Sequence, residues 1–211
     1  MRLRPFYWGG WFLTRVISKL FFRIRTNGQE NIPRSGGFIL ASNHVSYYDP
    51  PLVGSWSKRE LYFFAKEELF HNRLGGGIIT RTNALPVKRG AMDRNAIRMA
   101  VDVIRKGFGL TLFPEGTRSR TDNFLSPKAG IGMIATRAKC PIVPAYLHGS
   151  NHPGDCFKGR QKLSITYGEP FSAEWVMSFP KGKEGYEQIA AAVMERIGQI
   201  KASVVTPELS R

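Results

Sequence analysis

The amino-acid sequence predicts an α/β fold, a single mixed sheet flanked by helices, behind an N-terminal amphipathic helical region. Three observations carry that expectation. Apolar runs of strand length alternate with segments of helical periodicity, the pattern of one layered core. Hydrophobic residues make up 42% of the 211 residues, enough for a single domain with a sizeable core and too many for a disordered chain. Two polar clusters, Asn43 to Pro50 and Phe113 to Ser119, each follow directly on a strand-like run. In α/β sheets that is where residues face the ligand-binding crevice.

The first element spans residues 6–24, strongly apolar and aromatic but interrupted by Arg15, Lys19 and Arg23. Nowhere does the chain reach the roughly 18 uninterrupted apolar residues of a spanning helix. Set four apart, the three cations form one narrow stripe on a helix. Trp8, Trp11, Phe12, Val16, Leu20 and Phe22 fill the rest of the circumference. Such a helix suits the plane of a membrane interface, basic stripe to the headgroups and aromatic residues in the acyl region. The competing reading is a core-packing helix whose basic stripe is its solvated face. Residues 1–34 carry seven basic side chains against Glu30 alone, a net +6. Near an anionic leaflet each such charge is worth roughly 1 kcal/mol. A secretory signal is disfavoured by the recurring basic residues and the missing small-residue cleavage site.

The turn-rich stretch Asn27 to Gly37 marks entry into the main domain, which gives residues 1–34 as the N-terminal region and 35–211 as the α/β domain. Strands are expected at 38–42, 61–65, 84–88, 109–113, 141–147 and 162–168, and helices at 51–57, 67–73, 92–106, 129–138 and 185–201. The helix at 92–106 places Ile97, Ala100, Val101 and Ile104 on one face, and Gly107 stands where a C-terminal cap belongs. The last helix repeats Tyr186, Ile189, Val193, Ile197 and Ile200 at helical spacing, a packing face. Strand order does not follow from these patterns.

His44 and Asp49 are the first candidate pair. On a continuous helix residues five apart diverge by about 140°. Pro50, however, disfavours the α region for Asp49 and is itself a good first helical residue. Asp49 is therefore expected at an N-cap, with Val45 to Tyr48 as a turn that folds its carboxylate onto one imidazole nitrogen. The other nitrogen is then free to take a proton. The competing reading is an ordinary N-cap beside a loop histidine. In the second cluster Pro114 ends the strand, Gly116 allows close approach to the backbone, and Thr117, Arg118 and Ser119 crowd donors together. Arg118 can grip a phosphate in bidentate fashion. Glu115 can accept from acceptor hydroxyls or hold an arginine, or else form a surface pair with Arg118. Together the clusters point to proton abstraction from an acceptor that carries a phosphate.

Asn43-His44-x4-Asp49-Pro50 followed by Phe113-Pro114-Glu115-Gly116-Thr117-Arg118-Ser119 resembles the glycerolipid acyltransferase family, whose best-known members are the 1-acylglycerol-3-phosphate acyltransferases. The resemblance covers roughly residues 35–170. Leu85-Pro86-Val87-Lys88-Arg89 is similar to the block between the two motifs that ends in a phosphate-binding arginine. Pro141-Ile142-Val143-Pro144-Ala145 is similar to the last, apolar block, usually linked to the acyl donor, and Lys128 and Gly130 fit the lysine-x-glycine after the second motif. The resemblance implies that His44, held by Asp49, deprotonates a glycerol hydroxyl, which attacks an acyl thioester directly. Arg89, Arg118 and Lys128 would then hold the acceptor phosphate and Glu115 position the glycerol. Lysophosphatidate is the implied acceptor, with glycerol 3-phosphate or another lysophospholipid as alternatives. The implied donor is acyl-CoA or acyl carrier protein, and no cofactor beyond that co-substrate is expected. Many members carry spanning N-terminal helices, from which the interrupted segment here departs.

Composition narrows the remaining classes. Lys and Arg total 31 against 16 Asp and Glu, a net +15, which implies an anionic partner. A membrane-associated protein on the cytoplasmic face, with a lipid substrate and an anionic surface as partners, meets that implication. A basic nucleic-acid-binding or idle lipid-binding module is the alternative of another class. None of the usual nucleic-acid reader motifs is present, so no specific nucleic acid is expected. Cys140 and Cys156 fit no disulfide framework and no nucleophile context. His148, His152 and Cys156 recur every four residues as zinc ligands can, but Gly149, Pro153 and Gly154 break any helix that would align them, so no metal is expected.

Overall fold

A computed structural model describes residues 5–71, 76–88, 93–121 and 123–209, apart from the side chains of Ile78 and of 206–209. Its strands are β1 (Arg25–Asn27), β2 (Phe38–Ser42), β3 (Leu61–Lys66), β4 (Ala84–Val87), β5 (Gly109–Leu112), β6 (Ile142–His148) and β7 (Ser164–Tyr167). They form one sheet in the order β1-β7-β6-β2-β5-β3-β4. Every pairing is parallel except β6 with β7, which makes the sheet mixed as expected. The helices are α1 (Pro5–Phe22), α2 (Asp49–Trp56), α3 (Glu67–Phe70), α4 (Gly76–Ile79), α5 (Arg94–Arg105), α6 (Gly130–Ala138), α7 (Pro153–Phe157), α8 (Ala173–Met177) and α9 (Lys183–Leu209).

Burial explains the central strands. All five residues of β2 are buried, with Ile39 and Ala41 in the hydrophobic cluster on one face of the sheet and Phe38 and Leu40 in the cluster on the other. A strand covered on both faces reads as a continuous apolar run, and its side chains still alternate with a period of two. On the first face lie α5, α6 and α9. Ala100, Val101 and Ile104 of α5 and Ile189, Val193, Ile197 and Ile200 of α9 are buried there, the expected packing faces. Asp93 caps α5 by accepting from the Asn95 and Ala96 amides, and Gly107 follows that helix at φ 88°. Leu52, Val53 and Trp56 of α2 and Cys156 of α7 cover the second face.

The structure departs from the sequence reading at the N-terminal side. Arg25–Asn27 form a seventh strand that pairs in parallel with β7, so the N-terminal region contributes to the sheet. Helix α1 packs on α2, and two hydrogen bonds fix it to the body of the domain. The Trp56 indole donates to Ser18 Oγ at 2.9 Å, and the Leu61 amide donates to the buried Tyr7 hydroxyl at 3.1 Å. Its outward face is apolar: Phe6, Trp8, Phe12, Leu13, Ile17, Leu20 and Phe21 are all exposed.

Candidate active site

The polar clusters sit at the C-terminal ends of β2 and β5, adjacent strands near the middle of the sheet. Asn43 leaves β2 and is clamped to β6: its side-chain amide donates to the Leu147 carbonyl at 3.0 Å, and its oxygen accepts from the Leu147 amide at 2.8 Å. The chain then turns through Val45 to Tyr48, and α2 begins at Asp49, with Tyr48 rather than Asp49 in the N-cap position. The Asp49 carboxylate therefore caps the turn before the helix. Its Oδ2 accepts from the Val45 amide (2.7 Å) and the Ser46 amide (2.8 Å) and lies 2.8 Å from His44 Nδ1. Its Oδ1 accepts from the Ser150 hydroxyl at 2.6 Å. Asp49 has no exposed surface, and His44 keeps 12% of its side chain open. A carboxylate at that distance can accept from a protonated Nδ1, the tautomer in which the free lone pair sits on Nε2. Phe113 stacks on the imidazole, ring centres 4.0 Å apart at 19°, which fixes the ring plane.

Glu115 joins the two clusters. At 1% exposure, its Oε1 accepts from the His44 amide (3.0 Å) and its Oε2 from the Leu125 amide (2.8 Å). A second tie runs the other way, from the Ser119 amide to the His44 carbonyl at 2.8 Å. The expected roles for Glu115, a grip on acceptor hydroxyls or a surface pair with Arg118, put its carboxylate outward; here both oxygens face backbone amides inside the fold. Ser119 is also buried, with its hydroxyl donating to the Asn123 carbonyl at 2.7 Å. Gly116 turns at φ 70°, and an added Cβ would come within 3.3 Å of Lys128 Cγ. Lys128 is exposed beside that turn, held through its own amide to the Pro114 carbonyl at 2.8 Å. Gly116 and Thr117 are exposed, and the Arg118 guanidinium lies 3.3 Å over the centre of the Tyr47 ring. Arg89 lies outside the described residues. One rim thus gathers His44, Gly116, Thr117, Arg118 and Lys128, with Asp49 buried behind His44.

Beside the rim, α1, α2 and α7 enclose an apolar groove of about 340 Å³. Ile17, Phe22, Tyr48, Leu52, Ser150 and Cys156 are among its walls. Burial pushes the Cys140 thiol up to about 12, and it also raises Cys156, so neither supplies a thiolate near neutral pH. His148 ends β6, His152 precedes α7 and Cys156 lies inside α7, so the three share no helix face.

Residues 23–148, more than half of the chain, match the Acyltransferase family. The chain belongs to that family. This acyltransferase is 29% identical over 188 residues to the 1-acyl-sn-glycerol-3-phosphate acyltransferase of Bacillus subtilis, covering 89% of this chain and 92% of that one. It is 28% identical to the Streptococcus pneumoniae enzyme of the same name, over 85% of this chain and 68% of that one. The crystal structure of the 1-acyl-sn-glycerophosphate (LPA) acyltransferase PlsC from Thermotoga maritima superposes with a TM-score of 0.67 at 26% identity, over 96% of this chain and 84% of that one. The resemblance drawn from the motifs is therefore borne out at the level of the family.

Sequence reasoning missed Ser150 on Asp49, Phe113 under His44 and Tyr47 under Arg118. It also reversed part of α1. The Arg15 guanidinium lies 4.3 Å over Trp11 and 4.6 Å over Trp56, so Arg15 and Trp11 turn towards the body of the protein, and Phe22 packs into the second core cluster. Lys19 and Arg23 stay exposed with Trp8 and Phe12.

Proposed function

We propose that this acyltransferase moves a fatty acyl group from an acyl thioester to the free hydroxyl of lysophosphatidate, giving phosphatidate. The observation that carries the mechanism is the 2.8 Å contact between His44 Nδ1 and the buried Asp49 carboxylate at a strand end. His44 Nε2 takes the hydroxyl proton as the oxygen attacks the thioester carbon. The tetrahedral intermediate collapses, the C–S bond breaks, and the imidazolium returns its proton to the leaving thiolate. Asp49 keeps the ring in the required tautomer and stabilises the imidazolium. Arg118 and Lys128 beside the Gly116 turn, together with Arg89, hold the acceptor phosphate, and the thioester is that of coenzyme A or of acyl carrier protein. The names and close coverage of the bacterial relatives support lysophosphatidate as acceptor.

The same reading places the enzyme on an anionic, cytoplasmic membrane face. No helix among the described residues is long and apolar enough to cross a membrane. The outward face of α1 nevertheless shows Phe12 at 64% and Leu20 at 69% exposure beside Lys19 and Arg23, an apolar patch with a basic edge. Such a face suits shallow burial at an anionic leaflet, and the groove between α1 and α2 opens next to it.

The test incubates the protein with anionic vesicles, a panel of lysolipids and glycerol 3-phosphate, and both donors, with the product identified by mass. Diacylated phosphatidate as the main product is expected. Faster acylation of glycerol 3-phosphate or of a zwitterionic lysolipid would replace the acceptor. Phe12→Ser with Leu20→Ser should reduce vesicle co-sedimentation at high salt, where the electrostatic part is screened and apolar burial persists.

A further inference from the structure

We infer that Ser150 is a positioning residue that sets the working orientation of the His44–Asp49 pair. The assignment rests on the general-base reading above. The two oxygens of Asp49 are held in different ways. Oδ2 takes its donors from residues 44 to 46, all within the turn that Asp49 itself closes. Oδ1 takes the Ser150 hydroxyl, 101 residues away in sequence, at 2.6 Å. Because Oδ2 lies off the Cβ–Cγ axis, those partners already restrain the carboxylate torsion, but only relative to the turn itself. The Ser150 donor on the opposite oxygen ties the carboxylate plane to the end of β6, outside that turn, and with it the plane in which Oδ2 meets His44 Nδ1.

Ser150 is built to hold still. It follows β6, whose Ala145 pairs with Ser42 just before the His44 turn. Gly149, in front of it, adopts φ 84°, and an added Cβ there would lie 2.3 Å from the Lys162 carbonyl oxygen. Cys156 Sγ donates to the Gly149 carbonyl at 3.2 Å, tying this corner to α7. Ser150 itself is 3% exposed. A short charge-assisted bond between two buried groups is the kind that positions rather than decorates.

The surroundings give the bond a second task. Ser150 and Gly149 line the apolar groove between α1, α2 and α7, so the serine stands between that groove and Asp49. Without its hydroxyl, Oδ1 would face apolar walls with its donor gone, and an ionised carboxylate in that position turns towards whatever donor remains. The His44 ring would then lose its fixed partner angle, while the phosphate-binding rim on the Gly116 side would be untouched.

The experiment compares Ser150→Ala, Ser150→Thr and Ser150→Cys with the parent, each alone and with His44→Ala, measuring kcat and both KM values on anionic vesicles and Tm on the same samples. Ser150→Ala is expected to lower kcat roughly 10- to 100-fold, as small misplacements of a catalytic group do, with both KM values within about two-fold. Ser150→Thr should recover most of the loss because it keeps the hydroxyl. Ser150→Cys, close in shape but a poor donor, should not, and it carries the test if the alanine variant folds badly. In the His44→Ala background Ser150→Ala should cost nothing further, since the serine acts only through the base. Parent-like kcat in Ser150→Ala and Ser150→Cys beside a crippled His44→Ala would overturn the Ser150 assignment alone, as would an equal loss in the His44→Ala background or a change confined to KM. Full turnover in His44→Ala would instead remove the general-base reading, and this assignment with it.

Discussion

Glu115 offers the sharpest test of how the site is held. Each of its carboxylate oxygens accepts one backbone amide, from His44 at 3.0 Å and from Leu125 at 2.8 Å, at 1% exposure. Glu115→Gln keeps the shape but replaces one acceptor with an NH2 group, which cannot receive an amide. One charge-assisted bond is lost and one buried donor is left facing another. A hydrogen bond to a charged group is worth about 1.5–3 kcal/mol, and in a chain of this size each kcal/mol shifts Tm by roughly 2–4 °C. The variant should therefore melt about 3–12 °C lower by circular dichroism. It should also lose kcat, because the His44 backbone hangs on this bond, while KM for the acceptor stays near the parent value. The opposite pattern, an unchanged melting point with a tenfold higher acceptor KM, would refute the scaffold role and return Glu115 to the substrate.

Other consequences can be checked alongside. Tyr47→Ala removes the ring beneath Arg118, and at ~0.5–1 kcal/mol for an exposed cation–π contact the acceptor KM should rise about two- to five-fold, while Tyr47→Phe should match the parent. Arg118→Lys should restore only part of what Arg118→Ala loses, because the fork geometry goes with the guanidinium. Gly132→Ala puts a Cβ 2.3 Å from the Tyr186 carbonyl oxygen, so α6 and α9 must part and unfolding in urea should come about 1–2 kcal/mol earlier. Gly198→Ala meets nothing nearer than 3.8 Å and should be neutral or stabilising. Cys140, with its thiol raised from 9.0 to about 12 by burial, should resist iodoacetamide at pH 8.5 until the protein unfolds. Folding favours its neutral form, so that contribution to stability is present below pH 9 and falls away as pH climbs towards 12.

Much of this arrangement was legible because its signals are local. Buried central strands announce themselves as apolar runs, so Phe38–Ser42 and Gly109–Leu112 stood out, and Pro50 with Asp49 marked a turn next to a helix start. Arg25–Asn27 did not, because a three-residue polar edge strand owes its existence to β7 and not to its own composition. The orientation of α1 was hidden for a different reason. A helix apolar nearly all round does not say which face docks, and here Tyr7 and Ser18 decide it through bonds to Leu61 and Trp56. Ser150 belongs to no recognisable spacing with Asp49. The one available hint was its place after a glycine at the end of a strand beside β2, and strand order was needed to use it. Both oxygens of Glu115 turned out to face inward, a fact that residue type alone cannot convey.

The pairing of β1 with β7 also says something about how the chain comes into being. Arg25 lies opposite Ser164, so an edge of the sheet waits for a partner made 139 residues later. Contacts of such long separation slow folding, since the loop must close before they reward it. Synthesis runs from the N-terminus, so α1, with Phe12, Leu13, Leu20 and Phe21 on its outer side, emerges well before the strand that will fix its base. The growing chain therefore carries an exposed apolar helix long before its sheet is finished.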